Sequence, residues 1–173
     1  YTGMWCQYCP RGIALMENLA HKYGDDFIGI AIHTGRGYEP LNCEDYAWKA
    51  AEYKSRPSLT MNRDLTLGSY IAQTEFETER SKGAYMDLEV SAMWDKEKNN
   101  ITVTPNVTFR LNREEAPYGF AYVLTEDGMS SHYWKQANYY TGQTQFYGIS
   151  DELDYFVNAP GTIYNLENNF VAI

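Results

Sequence analysis

Two cysteines three residues apart, set between a tryptophan and a proline, constrain this chain more than any other stretch: Thr2-Gly3-Met4-Trp5-Cys6-Gln7-Tyr8-Cys9-Pro10-Arg11-Gly12. The spacing lets both sulfurs meet in one turn, so a disulfide can open and close with little backbone motion. Pro10 suits the first turn of a helix, where its missing N–H costs nothing. Ile13, Met16, Ala20 and Tyr23 recur at helical spacing, and Gly24 is a stop. Cys6 therefore precedes a helix N-terminus, whose unpaired N–H groups and dipole favour a thiolate. The residues alone leave three readings open. The pair is a reversible dithiol, with Cys6 attacking and Cys9 resolving; or a permanent structural disulfide; or half of a zinc site completed by Cys43 with His21 or His33, although those spacings match no familiar finger.

The chain has 173 residues, enough for one large domain or two small ones. Its net charge of -9 argues against nucleic acid, which is held by Lys and Arg, and against docking to anionic membranes through a basic patch. No apolar run approaches transmembrane length; the longest obvious one is Phe27 to Ile32. Three cysteines are too few for a disulfide-stapled scaffold.

After the first helix, Phe27 to His33 reads as a buried strand, and residues 34–40 as a loop. Asn42 caps a second helix with Tyr46, Ala47, Ala50 and Tyr53 on one face. Leu59-Thr60-Met61 is a strand after Arg56-Pro57-Ser58, Asn62-Arg63-Asp64 a turn, and Ser69 to about Lys82 an acidic helix ending near Gly83. The period then changes. Leu88, Val90, Ala92 and Trp94 alternate with polar residues or Met93, and Lys98-Asn99-Asn100 turns the chain. Ile101, Val103, Val107, Phe109 and Leu111 alternate again, with Pro105 marking an edge or a bulge. Phe120 to Leu124 is a further strand and Thr125-Glu126-Asp127-Gly128 a turn. Few helical signals appear in this half, so it reads as an antiparallel, sandwich-like sheet.

Trp-Cys-x-x-Cys at a helix start resembles the thioredoxin superfamily. The longer string from Tyr1 to Gly12 is similar to the outer-membrane protein 28 related family of bacterial envelope lipoproteins. Tyr122 to Gly128 and Gln136-Ala137-Asn138-Tyr139 are similar to that family's second domain, so the resemblance covers nearly the whole chain. It implies a thioredoxin-like α/β domain over residues 1–83, followed by an antiparallel β-sandwich-like domain over 84–173. It also implies that Pro57 is a cis-proline shaping a peptide-docking edge beside the thiols, with the Arg56 backbone pairing to substrate. Against such a fold, the strand leading into the Trp-Cys motif is too short, and Phe170 to Ile173 looks like the start of a strand. An internal fragment is the expectation.

The functional expectation is a thiol–disulfide oxidoreductase of the bacterial periplasm or outer membrane that acts on protein cysteines through Cys6 and Cys9, without cofactor or metal. Trp5, Arg56 and Pro57 are its substrate-binding candidates; for Trp5 a packed core indole is the rival reading. The Arg56 guanidinium is expected to help lower the Cys6 pKa. Cys43 reads as inert, and His21, His33 and His132 as structural or exposed. The alternative is a surface or outer-membrane-associated lipoprotein in which the redox fold is a scaffold and the β-domain binds envelope or surface proteins.

Overall fold

Pro10 opens the first helix in the computed structural model, which describes residues 1–35, 37–68, 70–110 and 118–173. The Ser69 start of the expected third helix, and Leu111 at the end of an expected strand, lie outside them. Among the described residues the architecture is mixed α/β, built on helices and four small two-stranded antiparallel sheets. Helix α1 runs from Pro10 to Tyr23 and ends at Gly24. Its buried residues are Pro10, Gly12, Ala14, Leu15 and Leu19, whereas Ile13, Met16, Ala20 and Tyr23 are only partly buried. The helix is enclosed on two sides, so the fully buried positions are not the single stripe that its spacing suggested.

Ala14 faces one apolar cluster, with Tyr140, Leu153, Phe156, Val157 and Ile163. Leu15 and Leu19 face another, with Leu67 and Ala72, over which Tyr23, Phe27 and Phe76 pack. Burying a side chain of this size stabilises by about 1.5–3 kcal/mol, so α1 anchors both clusters at once.

The chain divides into two compact units: Tyr1–Phe76 with Tyr122–Ile173, and Glu77–Ala121. These lines differ from the expected boundary at residue 83, and the described residues of 84–173 form no sandwich. In the first unit, β1 (Leu59–Met61) pairs antiparallel with β2 (Leu65–Leu67) across the expected turn. The segment 31–33 joins its neighbours through single bridges, parallel to Thr2 and to Val171. Thr2 N–H donates to the Ile32 carbonyl at 2.9 Å, and Ala31 N–H to the Phe170 carbonyl at 2.7 Å. The continuous strand expected over Phe27–His33 is therefore realised only near its end. Ile28 is 86% exposed, and regular pairing fails where the run lacks partners on either side.

Further differences follow the same logic. The second helix is short, Ala47–Ala50 (α2), after a 3-10 turn at Glu44–Tyr46. Helix α3 spans Gln73–Ser81. The expected strand over Phe120 to Leu124 is irregular, and the strand β5 forms instead at Thr125–Glu126, where a turn was expected. Its partner is β8 (Val171–Ala172), whose residues are 0% and 2% exposed. Between them lie β6 (Lys135–Ala137) and β7 (Thr162–Tyr164), paired antiparallel, and an unexpected helix α4, Asp151–Asn158. Ser150 caps α4 by accepting the Leu153 N–H at 3.2 Å.

The second unit carries the two longest strands, β3 (Met86–Asp95) and β4 (Asn100–Phe109). They pair in unbroken register, Leu88 opposite Val107 and Trp94 opposite Ile101, as the alternation required. Pro105, which has no N–H to give a ladder, sits opposite Val90 in a strand with a single partner.

Candidate functional site: the Cys6–Cys9 turn

The backbone before α1 coils through three successive turns. Cys6 N–H donates to the Gly3 carbonyl at 3.0 Å, Cys9 N–H to the Cys6 carbonyl at 3.1 Å, and Gly12 N–H to the Cys9 carbonyl at 2.8 Å. This winding places Cys9 at the N-cap of α1 and Cys6 one turn ahead of it. All three cysteines are free thiols, with no pair at disulfide distance. Cys6 is 5% exposed and Cys9 fully covered.

The two motif thiols differ electrostatically. A hydrogen bond from the Cys9 thiol, helped by the Tyr8 and Cys9 backbone N–H groups and more weakly by Arg56, outweighs burial and lowers the Cys6 pKa to about 7. Burial pushes the Cys9 thiol far upward, and the neighbouring Cys6 adds to the effect. A proton shared between two close thiols favours one thiolate at the expense of the other.

Cys6 opens onto a groove of about 860 Å³, which Trp5, Tyr8, Thr34, Lys54 and Arg56 help to line; Cys9 does not reach it. Trp5 is neither a core indole nor a loose one. Its Nε1–H donates to the Thr34 carbonyl at 2.9 Å while the side chain stays 39% exposed. Gly3 permits that pose, because a Cβ there would stand 2.5 Å from Trp5 Nε1.

Arg56 lines the groove but is fully engaged. Its Nε and Nη2 donate to Thr34 Oγ1, Nη2 also to the Ala50 carbonyl, and Nη1 to the Tyr53 and Ser55 carbonyls. The Arg56–Pro57 peptide is cis. Pro57 Cβ lies 3.2 Å from where a Gly12 Cβ would stand, so glycine at position 12 lets this proline close on the start of α1. The five sequence-derived residues thus fall around one helix end.

Three features escaped the sequence. Gln136, 1% exposed, donates its Nε2–H to the Cys6 carbonyl at 3.1 Å. Segment 137–139 runs beside the motif, with Ala137 N–H on the Met4 carbonyl at 2.9 Å and Tyr139 N–H on the Gln7 carbonyl at 2.8 Å. The third is Glu39, buried as the partner of His33, which takes the structural one of its two expected places. The Gln-Ala-Asn-Tyr string had marked the first two positions without indicating a role, and nothing periodic marks Glu39.

Cys43 is buried beside Ile32 and Ala172. His21 is exposed and pairs with Glu152. Among the described residues no three His, Cys, Asp or Glu side chains gather where they could hold a metal ion, and no helix is long and apolar enough to cross a membrane. Comparison with family models, curated proteins and solved structures gave no match.

Proposed function

We propose that the chain is a thiol–disulfide oxidoreductase of the bacterial cell envelope, acting on protein cysteines through Cys6 and Cys9 within a thioredoxin-like domain. The observation that carries this reading is the asymmetry of the two thiols: Cys6 is lowered to about 7 and borders a groove, while Cys9 is covered and raised. A permanent disulfide has no use for such a difference. Further support comes from the backbone around α1. Segments 1–2 and 31–33 run parallel, and Ser58, next to β1, pairs with Tyr1 on the other side. That row, with Pro57 against the helix start, agrees with the thioredoxin-like resemblance. The envelope location rests on the lipoprotein resemblance alone.

The reaction balances as two exchanges. The Cys6 thiolate attacks one sulfur of a substrate disulfide; that S–S bond breaks, a mixed disulfide forms, and the leaving thiolate takes a proton. Cys9 then loses its proton and attacks Cys6 Sγ. The second substrate thiol departs and the Cys6–Cys9 pair carries the oxidation. Two electrons pass to the substrate, and the reverse sequence oxidises a dithiol. A Cys9→Ser variant tests the order: it should accumulate a mixed disulfide on Cys6, and Cys6→Ser should accumulate none. Trapping on neither variant refutes the proposal.

A second reading, a scaffold whose other unit binds envelope or surface proteins, is favoured by the hairpin β3–β4. Leu88, Val90, Trp94, Ile101 and Val103 share one face of it and are exposed. Exposed apolar faces of this kind mark interaction surfaces.

A further inference from the structure

We propose that Gln136 is a positioning residue for the attacking thiol, fixing the Cys6 peptide so that the motif's N–H groups converge on the sulfur. The inference rests on the redox reading above and adds to it a residue 130 positions away from the cysteine it serves.

The geometry is a clamp. The carbonyls of Met4, Cys6 and Gln7 are each held by the segment 136–139: Met4 by Ala137 N–H, Cys6 by the Gln136 side chain, Gln7 by Tyr139 N–H. The Tyr8 and Tyr139 rings pack at 4.7 Å across the same seam. The Cys6 carbonyl also accepts Cys9 N–H, so one oxygen takes a donor from its own turn and another from the distant segment. That oxygen belongs to the peptide between Cys6 and Gln7. The Cys9 N–H points back at this held oxygen, and the Tyr8 N–H sits on the next peptide, whose Gln7 carbonyl Tyr139 holds, so the clamp as a whole orients the two N–H groups that support the Cys6 thiolate.

The amide orientation follows from its partners. Gln136 Nε2 faces two carbonyls, of Cys6 at 3.1 Å and of Ala137 at 2.8 Å, and only the NH₂ end can satisfy both. Its Oε1 is left buried without a hydrogen bond. An unpaired buried acceptor is costly, and an apolar side chain of similar length would fill the space without that cost. A residue serving only to pack would not need the amide. One serving the Cys6 carbonyl does.

Among the described residues the other titratable or charged groups around Cys6 are Cys9 at the helix start, Tyr8, Tyr53, Lys54 and Arg56 around the groove, and Tyr140 from the segment following the clamp. None of these touches the Cys6 carbonyl through a side-chain hydrogen bond among the described residues. A change at Gln136 therefore acts through the peptide's orientation and not by removing a charge.

The test compares wild type, Gln136→Met and Gln136→Leu by the pH dependence of thiolate absorbance and of Cys6 alkylation, with a thermal melt of each. Met keeps the volume and loses the donor. Leu also loses the donor, stays neutral and packs differently, so it serves where Met misfolds. Wild type should titrate at about 7. Both variants should titrate higher by about one unit, which lowers the thiolate fraction at neutral pH roughly fivefold. A melt that drops while the titration stays in place shows a packing role and overturns the proposal. A wild-type Cys6 that titrates like a free thiol refutes the redox reading itself, and the clamp's purpose with it.

Discussion

Glu39 and His33 meet in the interior, Oε1 3.1 Å from Nδ1, with side chains 0% and 3% exposed. The other carboxylate oxygen accepts the Met4 N–H at 2.7 Å, two residues ahead of Cys6. The carboxylate therefore ties the loop before α2 to the approach to the cysteine motif. Glu39→Ala leaves a buried imidazole and a buried N–H unpaired and should cost about 1–3 kcal/mol for each. Glu39→Gln retains an acceptor for Met4 and should cost less. Urea unfolding of the two variants checks the ranking, and an equal or negligible loss would contradict it.

Arg56 holds four acceptors, the Thr34 hydroxyl and the Ala50, Tyr53 and Ser55 carbonyls, through a planar fork that lysine lacks. Arg56→Lys should destabilise by about 1–3 kcal/mol. Its effect on the Cys6 titration should be small and upward, because the guanidinium ranks below the Cys9 thiol and the backbone N–H groups among the causes of the lowered pKa. A rise of a full unit or more would show that this charge, not the Cys9 hydrogen bond, governs the thiolate.

His21 on α1 and Glu152 on α4 pair at 2.8 Å. The Glu152 hydrogen bond raises the His21 pKa above 6.5. A raised pKa favours the protonated ring in the folded state. The contribution is fully present below 6.5 and is lost as pH rises through the folded value. Because His21 is exposed, the effect on stability is within about 1 kcal/mol. NMR titration should place the His21 ring above 6.5, and Glu152→Gln should bring it down. A His21 titration that Glu152→Gln leaves unchanged would dismiss the pair.

The cysteines bring linkage of opposite signs. Cys6 is lowered from 9.0 to about 7, so its stabilisation is complete above 9.0 and is lost as pH falls through 7. Cys9 is raised, so the folded state resists its ionisation and loses stability as pH climbs past 9.0. The stability difference between wild type and Cys6→Ser should therefore grow in favour of wild type from about pH 7 to about pH 9. A flat difference over that window would remove the basis for a folded-state thiolate.

Where a signal is local, the sequence carried it. Pro10 and the apolar spacing located α1, the period-two runs located β3 and β4, and Leu59-Thr60-Met61 located β1. The bridges at Ala31 and His33 were not legible, because Ala31 pairs with Val171, 140 residues on, and one bridge leaves no periodicity. Helix α4 was legible in part: Ser150 ahead of Asp151 and Glu152, then Leu153, Phe156 and Val157 at helical spacing, over only eight residues. In the site, Cys6, Cys9, Trp5, Arg56 and Pro57 were recognisable by residue type and order. Gln136 and Glu39 were not, since a polar residue becomes informative only once its burial and its partners are known.

The most direct test of the central claim is a redox titration with thiol alkylation, quenched in acid and read residue by residue after unfolding. The account predicts that Cys6 and Cys9 become protected together over one two-electron transition, that Cys43 remains reactive throughout, and that native-state alkylation takes Cys6 first with a midpoint at about pH 7. Protection of Cys43 in place of Cys9, or a Cys6 and Cys9 that stay reactive at every potential, would contradict it.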